Sequence, residues 1–188
     1  MNGMDTSKWT QQIDAITDAF FADFGSLSQD VIFRKPAPDV WSIGENLAHI
    51  IRINESYYPI LDALMDGSYR PAWTSNIGFI VSFFGDTVLR SVNPDRSNRM
   101  KTFPLWEPQL SEPDIHLFEK FKAHQSELKS RIEGCSTLLD KGAIINSPAN
   151  KYLVYKLETA FDIIVTHEKR HYEQCADTLR QISGHTGG

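Results

Sequence analysis

Two histidines, His167 and His171, lie four residues apart in a segment with a helical pattern of apolar residues. Residues at this spacing lie one turn apart on the same face of a helix, so both imidazoles project in the same direction. Two ring nitrogens placed in this way can reach one divalent ion at about 2.0–2.1 Å. Pairs of solvated surface histidines show the same spacing, and the pattern alone therefore leaves both interpretations open.

The apolar residues around the pair favour the metal interpretation. When the segment is projected at about 100° per residue, it forms one apolar arc, with His171 inside one border and His167 just beyond it. On an earlier helical segment, His49 lies beside Ile53 and Ile60 at the edge of a second arc. Because a buried imidazole without a partner is costly, three histidines at the rims of two core faces suggest a shared ligand. Three nitrogens plus an open position are typical of catalytic metal sites.

The segment His167-Glu168-Lys169-Arg170-His171 also matches HExxH, the pattern of a large class of zinc proteases. Those enzymes take a third ligand from a later helix or from a histidine ten residues after the first. That position is Asp177 here, Gln174 replaces the intervening glycine, and His185 is the one histidine that follows. A protease is therefore disfavoured.

Glu168 projects near the centre of the apolar arc of the last helical segment. A carboxylate in such a position needs a hydrogen-bonding or cationic partner. One interpretation is a buried ion pair or an interface residue. The other is a base acting on water at the metal site, or a group that supports a ligand, and it makes Glu168 the candidate catalytic residue. Glu45, one turn before His49, could orient that ring, although its position also fits a helix cap.

Other side chains with metal-binding chemistry have simpler interpretations. His124 interrupts an apolar stripe, and we interpret it as a hydrogen-bonded core residue. Cys175, one turn past His171, is interpreted as a small buried residue rather than a thiolate ligand. His116 and His185 are expected at the surface.

Four segments with helical periodicity must position these groups, and they predict an all-α four-helix bundle. The second begins at Ser42 with Glu45 three residues on, which is a capping box, and the third is expected to be capped near Ser111. The four run over residues 6–27, 42–67, 111–134 and 157–183.

The connections between these segments differ in length. Residues 68–113 are too many for a bundle turn and predict a long crossover connection, in which the apolar stretch 77–89 could form an extra helix. Residues 151–156 are aromatic and β-branched, which favours an extended conformation. Residues 184–188 are predicted to form a disordered tail. The whole chain, 1–188, is predicted to be a single domain.

Composition excludes several functions. The formal charge of −5 argues against a nucleic-acid surface. The start of the sequence lacks the basic and apolar regions of a secretory signal, and the longest apolar run falls short of a bilayer span, so no membrane association is predicted. The two cysteines are too few for a disulfide framework. A cytoplasmic location is therefore expected.

Two motifs resemble signatures of the DinB/YfiT-like family of metalloenzymes. Residues 41–49, WSIGENLAH, are similar to a helix-two signature in which a histidine follows a Trp-Ser-Ile start. Residues 166–174, THEKRHYEQ, are similar to a helix-four signature, His-x-x-x-His with a glutamine three residues later. The separation of the motifs also fits, and the resemblance covers roughly Trp9 to Ile182.

The resemblance implies a four-helix bundle with a crossover, usually a homodimer, that binds zinc or nickel. It places the metal ligands on His49, His167 and His171. In the wider group, the activities include thiol S-transfer, thiol-dependent isomerisation and, more loosely, hydrolysis.

Two functional hypotheses follow from the sequence. In the first, the protein is a metal-dependent enzyme acting on a small-molecule substrate, either as a transferase that uses a low-molecular-weight thiol or as a hydrolase with Glu168 as the candidate base. In the second, it is a non-catalytic, stress-related dimeric bundle that binds a metal. Three imidazoles also suit iron or copper, so the metal is not determined by the ligand set.

Overall fold

The computed structural model of the chain describes residues 3–76, 78–93, 106–108 and 113–184. Helices dominate these ranges, which confirms the predicted all-α class. The helices are α1 Ser7–Phe24, α2 Gln29–Phe33, α3 Ile43–Glu55, α4 Tyr58–Met65, α5 Gly78–Val92, α6 Leu117–Gly134, α7 Ser136–Asp140 and α8 Leu157–Gly184. A 3-10 turn spans Trp73–Asn76, and the strands are β1 Ile144–Ser147 and β2 Asn150–Lys156.

The helices α1, α3, α6 and α8 pack against one another as a bundle. Each contributes an apolar face to one core, with Ile13, Leu47, Phe121 and Ile164 fully buried. In α1, the apolar positions at spacings of three and four are all buried, as an amphipathic helix requires. The predicted helices at 6–27 and 157–183 therefore agree with α1 and α8 to within three residues.

The prediction of one continuous second helix over residues 42–67 is wrong. The chain forms α3 and α4, separated by Ser56 and Tyr57. Pro59 has no N–H to donate to the carbonyl of Glu55, so the ladder of α3 cannot continue through it. In the first turn of α4 the same proline is tolerated, because the first N–H groups of a helix have no intrahelical partner.

The start of α3 is capped as predicted. The Ser42 hydroxyl accepts from the backbone N–H of Glu45 at 3.1 Å, and the Ser42 N–H donates to Glu45 Oε2 at 2.8 Å. This capping box holds the first turn of the helix that carries His49. For the third predicted helix, the cap near Ser111 lies outside the described residues, and α6 begins at Leu117.

An antiparallel hairpin of β1 and β2 lies between α7 and α8. The extended conformation predicted for residues 151–156 is confirmed as β2, whereas β1, α2 and α7 were not predicted. The predicted extra helix over 77–89 is α5, which packs against β2 and α8. In the described ranges, no helix combines the length and apolar content needed to span a bilayer.

Candidate metal centre

His49 on α3 meets His167 and His171 on α8 in the interior of the bundle. All three side chains are buried, and their candidate ligand atoms lie within 4.8 Å of one another. The Nε2 atom of His167 lies 3.3 Å from Nε2 of His49 and 2.9 Å from Nε2 of His171. Two nitrogens bound to one tetrahedral ion are separated by about 3.3 Å. The spacing of the three nitrogens therefore suits a single ion.

Asn46 determines which nitrogen of His171 faces the cluster. The Asn46 NH2 group donates to the backbone carbonyl of Ser42 at 2.9 Å, which directs Oδ1, an acceptor only, towards His171. His171 donates to that oxygen from Nδ1 at 2.6 Å. A neutral imidazole carries one proton, so Nε2 of His171 presents a lone pair to the other two histidines.

The main chain of Trp106 determines which nitrogen of His49 faces the cluster. The carbonyl oxygen of Trp106 lies 2.6 Å from Nδ1 of His49, and a carbonyl can only accept. Nδ1 of His49 therefore carries the proton, and its Nε2 also presents a lone pair to the cluster.

The third ring, His167, decides whether the cluster is satisfied. Its Nδ1 is buried and has no hydrogen-bond partner in the part of the chain that the structure describes. With a proton on Nε2, His167 donates to one neighbouring ring, as the 2.9 Å distance to His171 allows. With the proton on Nδ1, three lone pairs face one another, an arrangement that needs a cation. The donor set therefore fits a divalent metal.

Burial keeps all three imidazoles neutral near neutral pH. It lowers the pKa of His49 from 6.5 to about 4, although the hydrogen bond to Trp106 opposes the shift. The pKa values of His167 and His171 lie well below the ordinary histidine value, chiefly because of burial and further because of their histidine neighbours and Arg170. Neutral rings are the form that ligates a metal, so bound protons do not block the site.

Two side chains from outside the ligand set lie close to the cluster. The half-buried ring of Trp41 stacks on His171 with centroids 6.0 Å apart and lies 4.7 Å from the ring of His49. Arg170 donates from Nη1 to the carbonyl of Ser91 near the end of α5, which ties that helix to α8. One apolar wall and one cation thus flank the histidines.

Glu168 is fully buried beside His167 in the sequence, yet its carboxylate contacts a different set of side chains. Asn54 donates to Oε1 at 2.6 Å, and Gln125 donates to Oε2 at 2.9 Å. Burial raises the pKa of Glu168 to about 7, while the two amide hydrogen bonds lower it. Within the described residues, these two amides are its hydrogen-bond partners and no cationic side chain pairs with it. The structure therefore does not support a buried ion pair at Glu168.

His124 is a hydrogen-bonded core residue, as expected. Its Nε2 accepts from Asn54 at 3.2 Å, which puts the proton on Nδ1, 3.1 Å from the Tyr58 hydroxyl. Cys175 is buried beside the carbonyl of Ile43, and burial raises the pKa of its thiol, so it remains a neutral thiol. His116 is exposed at the start of α6, whereas His185 lies outside the described residues.

The sequence left two roles open for Glu45, orientation of the His49 ring or a helix cap, and the structure shows the cap. Glu45 accepts from the Ser42 N–H and from Lys35, and the group that orients His49 is the Trp106 carbonyl. No sequence signal marks that carbonyl, because every residue has one. Asn46 could have been identified, since it is a polar residue one turn before the apolar position Ile50 on the buried side of α3.

The fold and the cluster define a helical bundle with a buried three-histidine centre. The chain belongs to the DinB superfamily, whose family model matches residues 12–175, a range that contains all three histidines. The resemblance of the two helix motifs is thereby confirmed at the level of the family. No curated protein and no solved structure gives a significant match.

Proposed function

We propose that this member of the DinB superfamily is a metal-dependent enzyme that holds one divalent ion on Nε2 of His49, His167 and His171. The observation that carries the proposal is the convergence of three buried imidazoles, two of which have their Nε2 lone pairs directed into the cluster by Asn46 and Trp106. Such an ion would supply Lewis acidity towards a small molecule bound at an open position.

The neutrality of the ligand set indicates what kind of group would bind there. Three uncharged imidazoles leave the charge of a divalent ion uncompensated, and Arg170 adds a further positive charge nearby. A thiolate, carboxylate or other anionic group is therefore favoured over a neutral one. This supports thiol-dependent transfer or hydrolysis of a small substrate, with zinc or nickel as the first metals to test.

We propose Glu168 as the candidate catalytic base. Its pKa of about 7 suits proton exchange near neutral pH, and it directly follows the ligand His167. Replacement by Gln keeps the shape and removes the titrating group. The Glu168→Gln variant should keep metal affinity and lose turnover. If turnover persists with an unchanged pH profile, Glu168 is not the base.

Metal analysis of the purified chain tests the metal centre. The wild-type protein should hold about one ion per chain, whereas each of His49→Ala, His167→Ala and His171→Ala should lose it. His116→Ala is the matched control, because it removes an exposed histidine at the N-cap of α6 and should leave metal content unchanged. Full occupancy in the variant that lacks all three histidines would remove the proposed site.

Spectroscopy of the cobalt-substituted protein separates the two reaction classes. Binding of a low-molecular-weight thiol should perturb the cobalt spectrum if the enzyme is a thiol-dependent transferase. A spectrum that no thiol changes, together with turnover of ester or amide substrates, would favour the hydrolase. Metal binding without turnover of either substrate class would leave a non-catalytic metal-binding bundle.

Membership of the superfamily also supports a homodimer as the working assembly. Size-exclusion chromatography with light scattering should give twice the chain mass of 21.4 kDa. A monomer at micromolar concentration would contradict that part of the proposal.

A further inference from the structure

Trp106 contacts α3 at two points that are about two helical turns apart. Its carbonyl oxygen accepts from Nδ1 of His49 at 2.6 Å, and its indole N–H lies 3.3 Å from the hydroxyl of Ser56 at the end of the helix. The Ser56 hydroxyl donates to the carbonyl of Ile53 at 2.5 Å, so its oxygen remains available to the indole. The half-buried Trp106 side chain is therefore held where its main chain meets the cluster.

We propose that Trp106 is a positioning residue for His49, and that docking of Trp106 on α3 and binding of a metal at the cluster stabilise each other. This inference rests on the proposed metal centre and adds a coupling to it. The contact with His49 is made by the backbone, so the side chain contributes by anchoring that backbone, and the contact with Ser56 is one such anchor.

Docking of Trp106 favours metal binding because it fixes which ring nitrogen of His49 carries the proton. While the Trp106 carbonyl is docked, Nδ1 of His49 must donate, and Nε2 keeps its lone pair inside the cluster. Without the carbonyl, the ring is free to move its proton to Nε2, which places an N–H where a ligand atom is needed. Loss of docking therefore lowers the fraction of chains that are ready to bind a metal.

The effect of metal binding on docking follows from thermodynamic reciprocity. If docking of Trp106 raises metal affinity by some factor, metal binding must favour docking by the same factor. The physical origin is the hydrogen bond itself, because an imidazole that binds a cation through Nε2 becomes a stronger donor at Nδ1. If Trp106 acted through packing alone, docking and metal binding would not affect each other, and the affinity for the metal would be independent of the indole contact.

The first experiment measures zinc affinity by competition with a chromophoric chelator. Replacement of a group that orients a metal ligand lowers affinity by about 10–100-fold, so we expect about a tenfold loss in Trp106→Ala. Ser56→Ala removes the acceptor of the indole while Trp106 remains, and it should weaken zinc binding in the same direction by less. Trp73→Ala is the matched control, because Trp73 is an exposed tryptophan in the 3-10 turn that packs against β2 and α5.

The second experiment detects the reciprocal effect without any activity assay. The chain contains four tryptophans, whose indole N–H signals can be followed by NMR and assigned for Trp106 with a Trp106→Phe variant. Zinc should slow hydrogen exchange of the Trp106 indole in the wild-type protein and should slow it less in Ser56→Ala. Trp9, which donates to Asp162, is the internal reference and should not change.

The outcomes separate this inference from the proposed function. If the wild-type protein binds no zinc, the metal centre itself fails. If it binds zinc but Trp106→Ala and Ser56→Ala bind equally well and the exchange rate of the indole is unchanged, the coupling is wrong while the metal centre stands. Should Trp106→Ala fail to fold, Ser56→Ala and the exchange measurement still decide the result.

Discussion

The side chain of Asn46 illustrates how one buried amide can decide the chemistry of a neighbouring ring. Asn46 accepts from Nδ1 of His171 while its own amide group is bound to the Ser42 carbonyl. Asn46→Leu removes the acceptor and frees the His171 ring to protonate Nε2, so zinc affinity should fall by about 10–100-fold. Asn46→Asp retains the acceptor and should bind zinc within a few-fold of the wild type. Equal losses in both variants, measured by chelator competition, would show that the acceptor for Nδ1 of His171 is not what supports zinc binding.

Glu168 provides a second prediction for a single residue, this time for stability. Its native pKa of about 7 lies above the ordinary value of 4.5, so the folded state retains a proton that the unfolded chain releases. The contribution of Glu168 to stability is therefore present below pH 4.5 and is lost as the pH rises through 7. The free energy of unfolding of Glu168→Gln, taken relative to that of the wild type, should rise by on the order of 2 kcal/mol between pH 5.5 and pH 8.

Urea unfolding of the metal-free proteins at those two pH values measures this difference. The variant and the wild type both need a chelator in the buffer, because bound metal would add its own pH dependence. If the difference in unfolding free energy between Glu168→Gln and wild type does not change with pH, the native carboxyl titrates as in the unfolded chain.

At the level of elements, the capping box at the start of α3 anchors the helix that carries His49. Ser42→Ala removes the acceptor of the Glu45 N–H and should destabilise the protein by about 1 kcal/mol in urea unfolding. Glu45→Gln is the control, since Gln can still accept from the Ser42 N–H and should change stability by less. A loss in Glu45→Gln that equals the loss in Ser42→Ala would assign the effect to the ion pair with Lys35 instead.

The elements also show what the sequence could and could not predict. The apolar periodicity was sufficient to predict α1 and α8, because the apolar faces of both helices pack into one continuous core. It failed at Pro59, where the apolar pattern continues although the backbone hydrogen bonds cannot. The four-residue strand β1 was missed because a strand depends on its partner, and the pairing with β2 is not visible in so short a segment.

The three histidines of the site could be predicted because helix period and an apolar arc give direction to a side chain. The orientation of the His49 ring could not, because it depends on Trp106, which reaches His49 across 57 residues of chain through a backbone atom. The partners of Glu168 could not be predicted for a similar reason. Its position on the arc showed that it is buried, whereas its partners, Asn54 and Gln125, come from two other helices.

At the scale of the whole molecule, the buried histidines make folding depend on pH. Burial lowers the pKa of His124, like that of His49, from 6.5 to about 4, and it also holds the pKa values of His167 and His171 well below 6.5. An unfolded chain binds a proton at each of these sites near pH 6.5, whereas the native state does not. Their contribution to stability is therefore present above pH 6.5 and is lost as the pH falls.

The metal-free protein should consequently lose stability between pH 7.5 and pH 5.5, because four histidines outweigh the opposite effect of Glu168. His124→Gln separates the core histidine from the three candidate metal ligands, since His124 contacts Asn54 and Tyr58 rather than the cluster. The variant should show a smaller pH dependence of the unfolding free energy, by about one proton, and should still be stabilised by zinc at pH 7.5. That zinc stabilisation should vanish towards pH 5 in both proteins, because protons compete for the same imidazoles. A zinc effect that is independent of pH would mean that the ion binds elsewhere.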